Sequence, residues 1–415
     1  MTLTSILAFI FVFGVLVAVH EWGHFIAAKK SGVLVREFAI GMGPKIFQTV
    51  RQHTAYTLRI LPVGGYVRMA GLDEGADLSA GQRILLTTNA AGVVTKIDQR
   101  VDDMGQRGLL AVVDTFDLTD ELFIQTVVND EARRFVVDHD AVLVEQDGTT
   151  VQIAPRDTWF QSAKLWQRAV INIAGPVMNF ILALLVFVGL GFAQPSVGLN
   201  ENIVGEVTAG YPAKAAGLQS GDKLVAIDGV KTPDWNAVSN QISAHKTKMT
   251  ITYERNGQQN KTAITPKKVT ESGTTRYVIG ITQQTHTDLA SRIKYGASAT
   301  WSMMTRVVDA ILHLFSGGFS LDKLGGPVAI AKETSSAAQA GWLTLFGFMA
   351  VLSINLGLMN LLPIPALDGG KLLLNLVEAI YRKPLPARFE TGVTVVGAGL
   401  LVLLMIAVTI NDLLR

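Results

Sequence analysis

The chain has 415 residues, 49% hydrophobic and 17% charged, with a net charge of +2 and no cysteine. A soluble domain carries about 25% charged residues, so much of this chain is composed for an apolar solvent. The near-neutral balance excludes a nucleic-acid partner or an acidic substrate, and the lack of cysteine excludes disulfides and thiolate metal sites.

Residues 1–28 carry a single charge, Glu21, while 169–193 and 392–411 carry none and 341–368 none before Asp368. Each can cross a hydrocarbon core of about 30 Å as a helix, which takes about 20 residues. The first lacks a basic leader and a small-residue cleavage site, so it reads as a retained span rather than a signal peptide. The expected fold class is a polytopic α-helical membrane protein with four transmembrane helices, a cytoplasmic β-rich insertion and an extracytoplasmic α+β domain. Lys29, Lys30, Arg36, Lys45 and Arg51 follow the first span, and Arg156, Lys164 and Arg168 precede or open the second. Basic residues gather on the cytoplasmic side, so 29–168 are expected inside and both termini outside. Lys371, Arg382, Lys383 and Arg388 place the loop between the third and fourth spans inside as well.

After the first span, 41–67 contains Gly41-Met42-Gly43-Pro44, an alternating run Tyr56–Leu61 and Pro62-Val63-Gly64-Gly65-Tyr66. The pattern predicts two short strands joined across a glycine-rich bend, expected as a membrane-associated β-hairpin with an open edge, although an ordinary cytoplasmic hairpin fits the spacing equally. Residues 72–165 alternate apolar and polar, with turns at Asn89–Gly92 and Asp147-Gly148 and strands at 135–137, 141–144 and 150–153. His139 between Asp138 and Asp140 reads as a solvated turn rather than a metal ligand.

Residues 200–284 open with a strand at 203–207, a short helix at 212–216 and a strand closed by Asp228-Gly229. A helix from Trp235 to His245 and a hairpin through Asn256-Gly257 follow. These residues resemble a PDZ domain of the bacterial type. That fold binds peptides by strand addition, with a backbone loop capturing a carboxylate; Ile279, Gly280 and Ile281 resemble that loop, although a core strand fits the letters equally. Residues 289–340 read as an amphipathic helix and a linker, broken at Gly317-Gly318 and Gly325-Gly326-Pro327.

The chemistry centres on His20-Glu21-Trp22-Gly23-His24. On a helix, residues four apart share a face, so both imidazoles can reach one ion while Glu21 takes a proton from water beside it. Ionisable groups inside an apolar span are costly, which favours function over a satisfied core histidine. A catalytic zinc keeps three protein ligands, and no further histidine follows nearby. Asn360-Leu361-Leu362-Pro363-Ile364-Pro365-Ala366-Leu367-Asp368-Gly369-Gly370 offers Asp368 where the prolines break the helix. Two rivals stay open: another membrane peptidase using Glu378 as third ligand, and a non-proteolytic PDZ membrane scaffold.

Taken together, these motifs resemble the site-2 protease family, in the bacterial RseP-type Gram-positive form with a single PDZ domain. Ile171-Asn172-Ile173-Ala174-Gly175-Pro176-Val177-Met178-Asn179 is similar to the family's second-span motif. The resemblance implies an intramembrane zinc metalloendopeptidase with one zinc per chain, held by His20, His24 and Asp368, and Glu21 as general base. It implies substrate contacts at Asn360, Gly41, Gly43, Gly64, Gly65, Asn172 and Asn179, with the hairpin pairing to the substrate as an added strand. The implied partners are the lipid bilayer, single-pass membrane proteins such as anti-sigma factors or remnant signal peptides, and an upstream site-1-type protease. The implied localisation is the bacterial cell membrane, with the active site toward the cytoplasm and the PDZ domain outside.

Overall fold

The computed structural model describes residues 2–71, 78–101, 108–128, 131–146, 150–271, 274–316 and 325–414. The expected turn at Asp147-Gly148 and break at Gly317-Gly318 lie outside the described residues. The chain divides into two compact units, residues 1–183 with 306–415, and residues 184–305.

Helix α1 (Leu3–Lys30) begins at Thr2, whose hydroxyl accepts from the Ser5 backbone at 3.2 Å, and ends in Lys29 and Lys30. Cations there suit the negative end of the helix dipole. Buried positions recur along one face, Val12, Leu16, His20, Gly23, His24 and Ala27, while Leu7, Phe11 and Trp22 are exposed. Strands β1 (Val35–Arg51) and β2 (Thr54–Met69) then form a hairpin longer than the one expected. Its turn is Gln52-His53, both at positive φ, as a two-residue turn between twisted strands requires. The glycines instead sit where the strands fold over. Gly41 lies at φ +88°, and a Cβ there would stand 2.6 Å from the Leu61 carbonyl oxygen. Folding over gives residues 37–40 partners on both edges, 65–68 and 55–58.

Strands β3 (Arg83–Thr88), β4 (Val94–Asp98), β5 (Leu109–Asp117), β6 (Phe123–Val128), β7 (Glu131–Val144) and β8 (Thr150–Gln152) form one sheet ordered β4-β3-β5-β6-β7-β8. A further β4–β7 pairing closes it into a small barrel around Ile84, Leu86, Ile97, Ile124 and Val137. The strands expected separately at 135–137 and 141–144 are one strand. Asp138, His139 and Asp140 run through it because β7 changes partner there, from β6 to β4 and β8. His139 lies 3.1 Å from carboxylate oxygens of Asp140 and Asp157. Asp140 first, then Asp157, holds its imidazole above the ordinary pKa against the opposing effect of burial. The Asn89–Gly92 turn forms, with Asn89 Oδ1 accepting from the Ala91 and Val93 backbones.

Helix α2 (Leu165–Ala193) contains Pro176. The unit 184–305 then begins with the end of α2 and continues with β9 (Val197–Gly198), β10 (Val204–Val207), α3 (Pro212–Ala215), β11 (Lys223–Ile227), β12 (Val230–Lys231), α4 (Trp235–Ala244), β13 (Met249–Arg255) and β14 (Gln258–Ile264). Strands β15 (Lys267–Glu271), β16 (Thr274–Val278), β17 (Ile281–Gln283) and β18 (Thr285–His286) follow. A four-stranded sheet in this unit runs β12-β11-β13-β14, and β10 pairs with β17. Leu218, Leu224, Ile227, Val238, Met249 and Ile251 fill the core between that sheet and α4. Asp234 caps α4, accepting from the Ala237 backbone at 2.8 Å. Helix α5 (Leu289–Ser316) leaves Leu289, Ile293 and Trp301 exposed along one stripe.

The stretch expected as a linker contains α6 (Pro327–Gln339), because Gly326-Pro327 supplies a helix start rather than a mere break. Asp412 Oδ2 accepts from the Ala329 backbone at 3.0 Å in its first turn. Helix α7 (Trp342–Asn360) stops ahead of the two prolines, and Asp368 opens α8 (Asp368–Tyr381) rather than ending the span. Gly369 and Gly370 are tightly packed: a Cβ on Gly369 would stand 2.3 Å from the Leu361 and Leu362 carbonyl oxygens. Helix α9 (Ala387–Leu414) completes the chain. Among the described residues, four helices are long and apolar enough to cross a membrane: Leu3–Lys30, Leu165–Ala193, Trp342–Asn360 and Arg388–Leu414.

Candidate metal centre

His20 and His24 lie one turn apart on α1, so the helix itself brings their rings together, with Nε2 atoms 3.3 Å apart. Asp368 reaches them from the first turn of α8. Its Oδ2 lies 3.3 Å from His20 Nε2 and 3.2 Å from His24 Nε2. The three residues are 7–8% exposed, and among the described residues theirs is the cluster whose donor atoms can share a metal.

The second ring nitrogens are held from α2. His24 Nδ1 donates to the Ile171 carbonyl oxygen at 2.7 Å. A carbonyl only accepts, so Nδ1 carries the proton and Nε2 keeps its lone pair for a metal. The Asn179 amide lies 3.0 Å from His20 Nδ1 through its nitrogen, while its Oδ1 is buried with no partner. A half-turn of that amide puts Oδ1 on the ring N–H and frees His20 Nε2 in the same way. Asp368 Oδ2 is likewise buried without a hydrogen-bond partner. A buried carboxylate oxygen 3.2–3.3 Å from the Nε2 atoms of two histidines is a three-donor set that fits zinc and would leave a further position open.

Gly175 makes this convergence possible. A Cβ there would stand 2.3 Å from His24 Nε2 and 2.8 Å from His20 Cε1. Glu21 is half-buried beside the hairpin, where a Cβ on Gly65 would come within 3.0 Å of its Cγ. Strand β2 thus passes directly alongside Glu21.

The other expected site residues are spread more widely. Asn360 ends α7 and its Nδ2 donates to the Leu356 carbonyl oxygen at 3.0 Å. Asn172 is 3% exposed with Nδ2 unpartnered, and Asn179 is fully buried against His20. Gly41, Gly43 and Gly64 lie at folds of the hairpin, all at positive φ. Ile279, Gly280 and Ile281 together line a groove of about 340 Å³ with Tyr211, Val238 and Ile242, and Ile279, at 1% exposure, also belongs to the core of its unit. Glu378, the rival ligand, is elsewhere. Ten residues beyond Asp368, it lies about 15 Å further along α8 and bonds Arg168 at 2.6 Å and the Leu385 backbone at 2.8 Å. Ile171, Gly175 and the positioning role of Asn179 were missed. The available signal was their spacing of four, one face of a helix.

Residues 8–404 match peptidase family M50. The chain belongs to this family, the site-2 proteases. A protein of Enterococcus faecalis whose name contains the words "protease eep" is 44% identical over 418 residues, covering 99% of both chains. Proteins of Streptococcus pyogenes serotype M6 and Lactococcus lactis, with "zinc metalloprotease" in their names, are 43% and 42% identical over 420 and 426 residues. These cover 99% of this chain and 99% and 98% of the relatives. The chain is a membrane-bound zinc metallopeptidase, and the donor set described above fits that metal.

Proposed function

We propose that the chain cuts peptide bonds inside transmembrane segments, with His20, His24 and Asp368 holding zinc and Glu21 as general base. The observation that carries this is the meeting of three buried donors, with an otherwise orphaned Asp368 Oδ2, between helices α1 and α8. Zinc held there supplies Lewis acidity, polarising a substrate carbonyl and making water nucleophilic near neutral pH. Glu21 sits next to His20 and accepts the proton that water must lose. Ile171 and Asn179 keep both rings turned toward the ion. A substrate helix hides its peptide bonds, so it must be drawn out straight before attack. The hairpin edge beside Glu21 suits that task, since an extended backbone can pair with it as an added strand. Asn360, at the end of α7, is proposed to help hold that backbone.

The basic residues after α1 and at the start of α2 support a cytoplasmic barrel, with the 184–305 unit and both termini outside. We read residues 200–284 as a PDZ domain whose groove takes or turns away the outer end of substrates. The substrates are then single-pass proteins such as anti-sigma factors, or remnant signal peptides, already trimmed outside by a site-1-type protease.

The test uses purified full-length protein in vesicles with a single-pass substrate. Wild type is expected to cut within the spanning segment, while Glu21→Gln binds zinc and substrate without cutting. Cutting confined to the substrate's water-exposed parts, or full activity in Glu21→Gln, overturns the reading.

A further inference from the structure

We infer that Arg168 and Glu378 form a positioning brace that sets the height of Asp368 against the two histidines; this rests on the zinc-ligand reading above. Arg168 Nη1 donates to Glu378 Oε2 at 2.6 Å, and the two residues are 6% and 3% exposed. Glu378 Oε1 accepts from the Leu385 backbone at 2.8 Å, so both carboxylate oxygens are engaged. Arg168 also approaches Glu390 Oε1 at 3.7 Å and lies over the Phe160 ring.

A buried ion pair costs desolvation that its attraction roughly returns, so it adds little stability over a well-packed apolar pair. What it does well is fix register, because leaving either charge unpaired is severely unfavourable. The two helices it joins are the ones whose register matters here. Helix α2 carries Ile171, Gly175 and Asn179, the groups that aim and admit the histidine rings. Helix α8 begins with Asp368. Arg168 stands about 4.5 Å before Ile171 along α2, and Glu378 about 15 Å beyond Asp368 along α8, at 1.5 Å per residue. A slide of α8 along α2 would carry Asp368 away from both Nε2 atoms. The pair blocks that slide from outside the metal's own ligand set. It also accounts for a buried glutamate that sequence spacing had offered as a ligand.

The experiment measures zinc affinity of the purified full-length protein by competition with a chelator, alongside thermal unfolding of the metal-free protein. The variants are Glu378→Gln, Arg168→Lys, and the apolar double Arg168→Met with Glu378→Leu. Glu378→Gln is expected to weaken zinc binding about tenfold or more, the usual scale for losing a group that orients ligands. Arg168→Lys keeps the charge and is expected to stay near wild type. The double variant decides the case, because it removes the charges without leaving one unpaired. Weakened zinc binding with unchanged unfolding temperature supports the brace. Wild-type zinc affinity in the double variant overturns it, whatever Glu378→Gln shows. Asp368→Ala runs in parallel: if that variant keeps its zinc, the ligand reading fails, and the failure is distinguishable from that of the brace.

Discussion

Gly175→Ala adds one methyl group to the inner face of α2, at the closest approach between that helix and the histidines. The new Cβ would stand 2.3 Å from His24 Nε2 and 2.8 Å from the Cε1 atoms of both rings. Ordinary contact begins about 1 Å further out, so the His24 ring must withdraw by roughly that distance. It cannot do so freely, because Nδ1 is tied to the Ile171 carbonyl at 2.7 Å. A misplacement of about 1 Å at a reacting centre costs on the order of 100-fold in rate, or about 2.7 kcal/mol in the barrier. Alanine in a helix interior is meanwhile favoured over glycine by about 1 kcal/mol. The expected signature is therefore a protein that unfolds close to the wild-type temperature yet binds zinc more weakly and cuts about 100-fold more slowly. Gly189→Ala, in the same helix with nothing within 4 Å of its added Cβ, is the matched control and stays active. Zinc binding is read by chelator competition and cutting by gel assay of a single-pass substrate. Gly175→Ala with zinc affinity and cutting within about twofold of wild type would refute the close-approach argument.

Gly65→Val drives a branched side chain toward Val17, Glu21 and the Ala39 carbonyl oxygen, all within 3.0 Å of its Cβ. It should push β2 off α1 and lower cutting at least tenfold while zinc content stays full; a normal rate would count against the strand's role. Asp368→Ala and prolonged chelation should both abolish cutting, and zinc added back should rescue only the chelated wild type. Rescue of Asp368→Ala by zinc would remove that residue from the ligand set. Asp98, 1% exposed on β4, is pushed up by burial but held down more strongly by hydrogen bonds from Arg100 and Lys96, leaving its pKa at about 2. Its ordinary value is 3.8, so the folded state favours the charged form. The stabilisation, about 2 kcal/mol, is present above pH ~4 and lost as pH falls toward ~2. Amide exchange in β4 and β7 should therefore accelerate over that window, and in Asp98→Asn the acceleration should flatten; an unchanged profile would show the carboxylate does not hold the barrel.

Much of the centre was legible in the linear order of residues because it obeys local rules. Two histidines four apart on an apolar helix share a face whatever surrounds them. Two prolines end α7 wherever it is placed, and long uncharged runs mark the spans. Strand and turn chemistry likewise located the Asn256-Gly257 hairpin and the Asn89–Gly92 turn. What depended on distant partners was not legible. His139 read as a turn because the partner exchange that carries β7 through it involves β4, some 40 residues away in the chain. The hairpin turn fell at Gln52-His53 because strand register, rather than glycine content, decides where a ribbon reverses. The choice between Asp368 and Glu378 also came from packing: both lie on α8, one at the rings and one against Arg168. The sequence by itself determined the membrane class and the pairing of His20 with His24 on one helix face, since hydrophobicity and helical periodicity act over a few turns. Only the tertiary structure brought Asp368 to those rings, set Ile171 and Asn179 against their second nitrogens and packed Gly175 beside them. Those depend on which helix faces come together, a property of the whole fold.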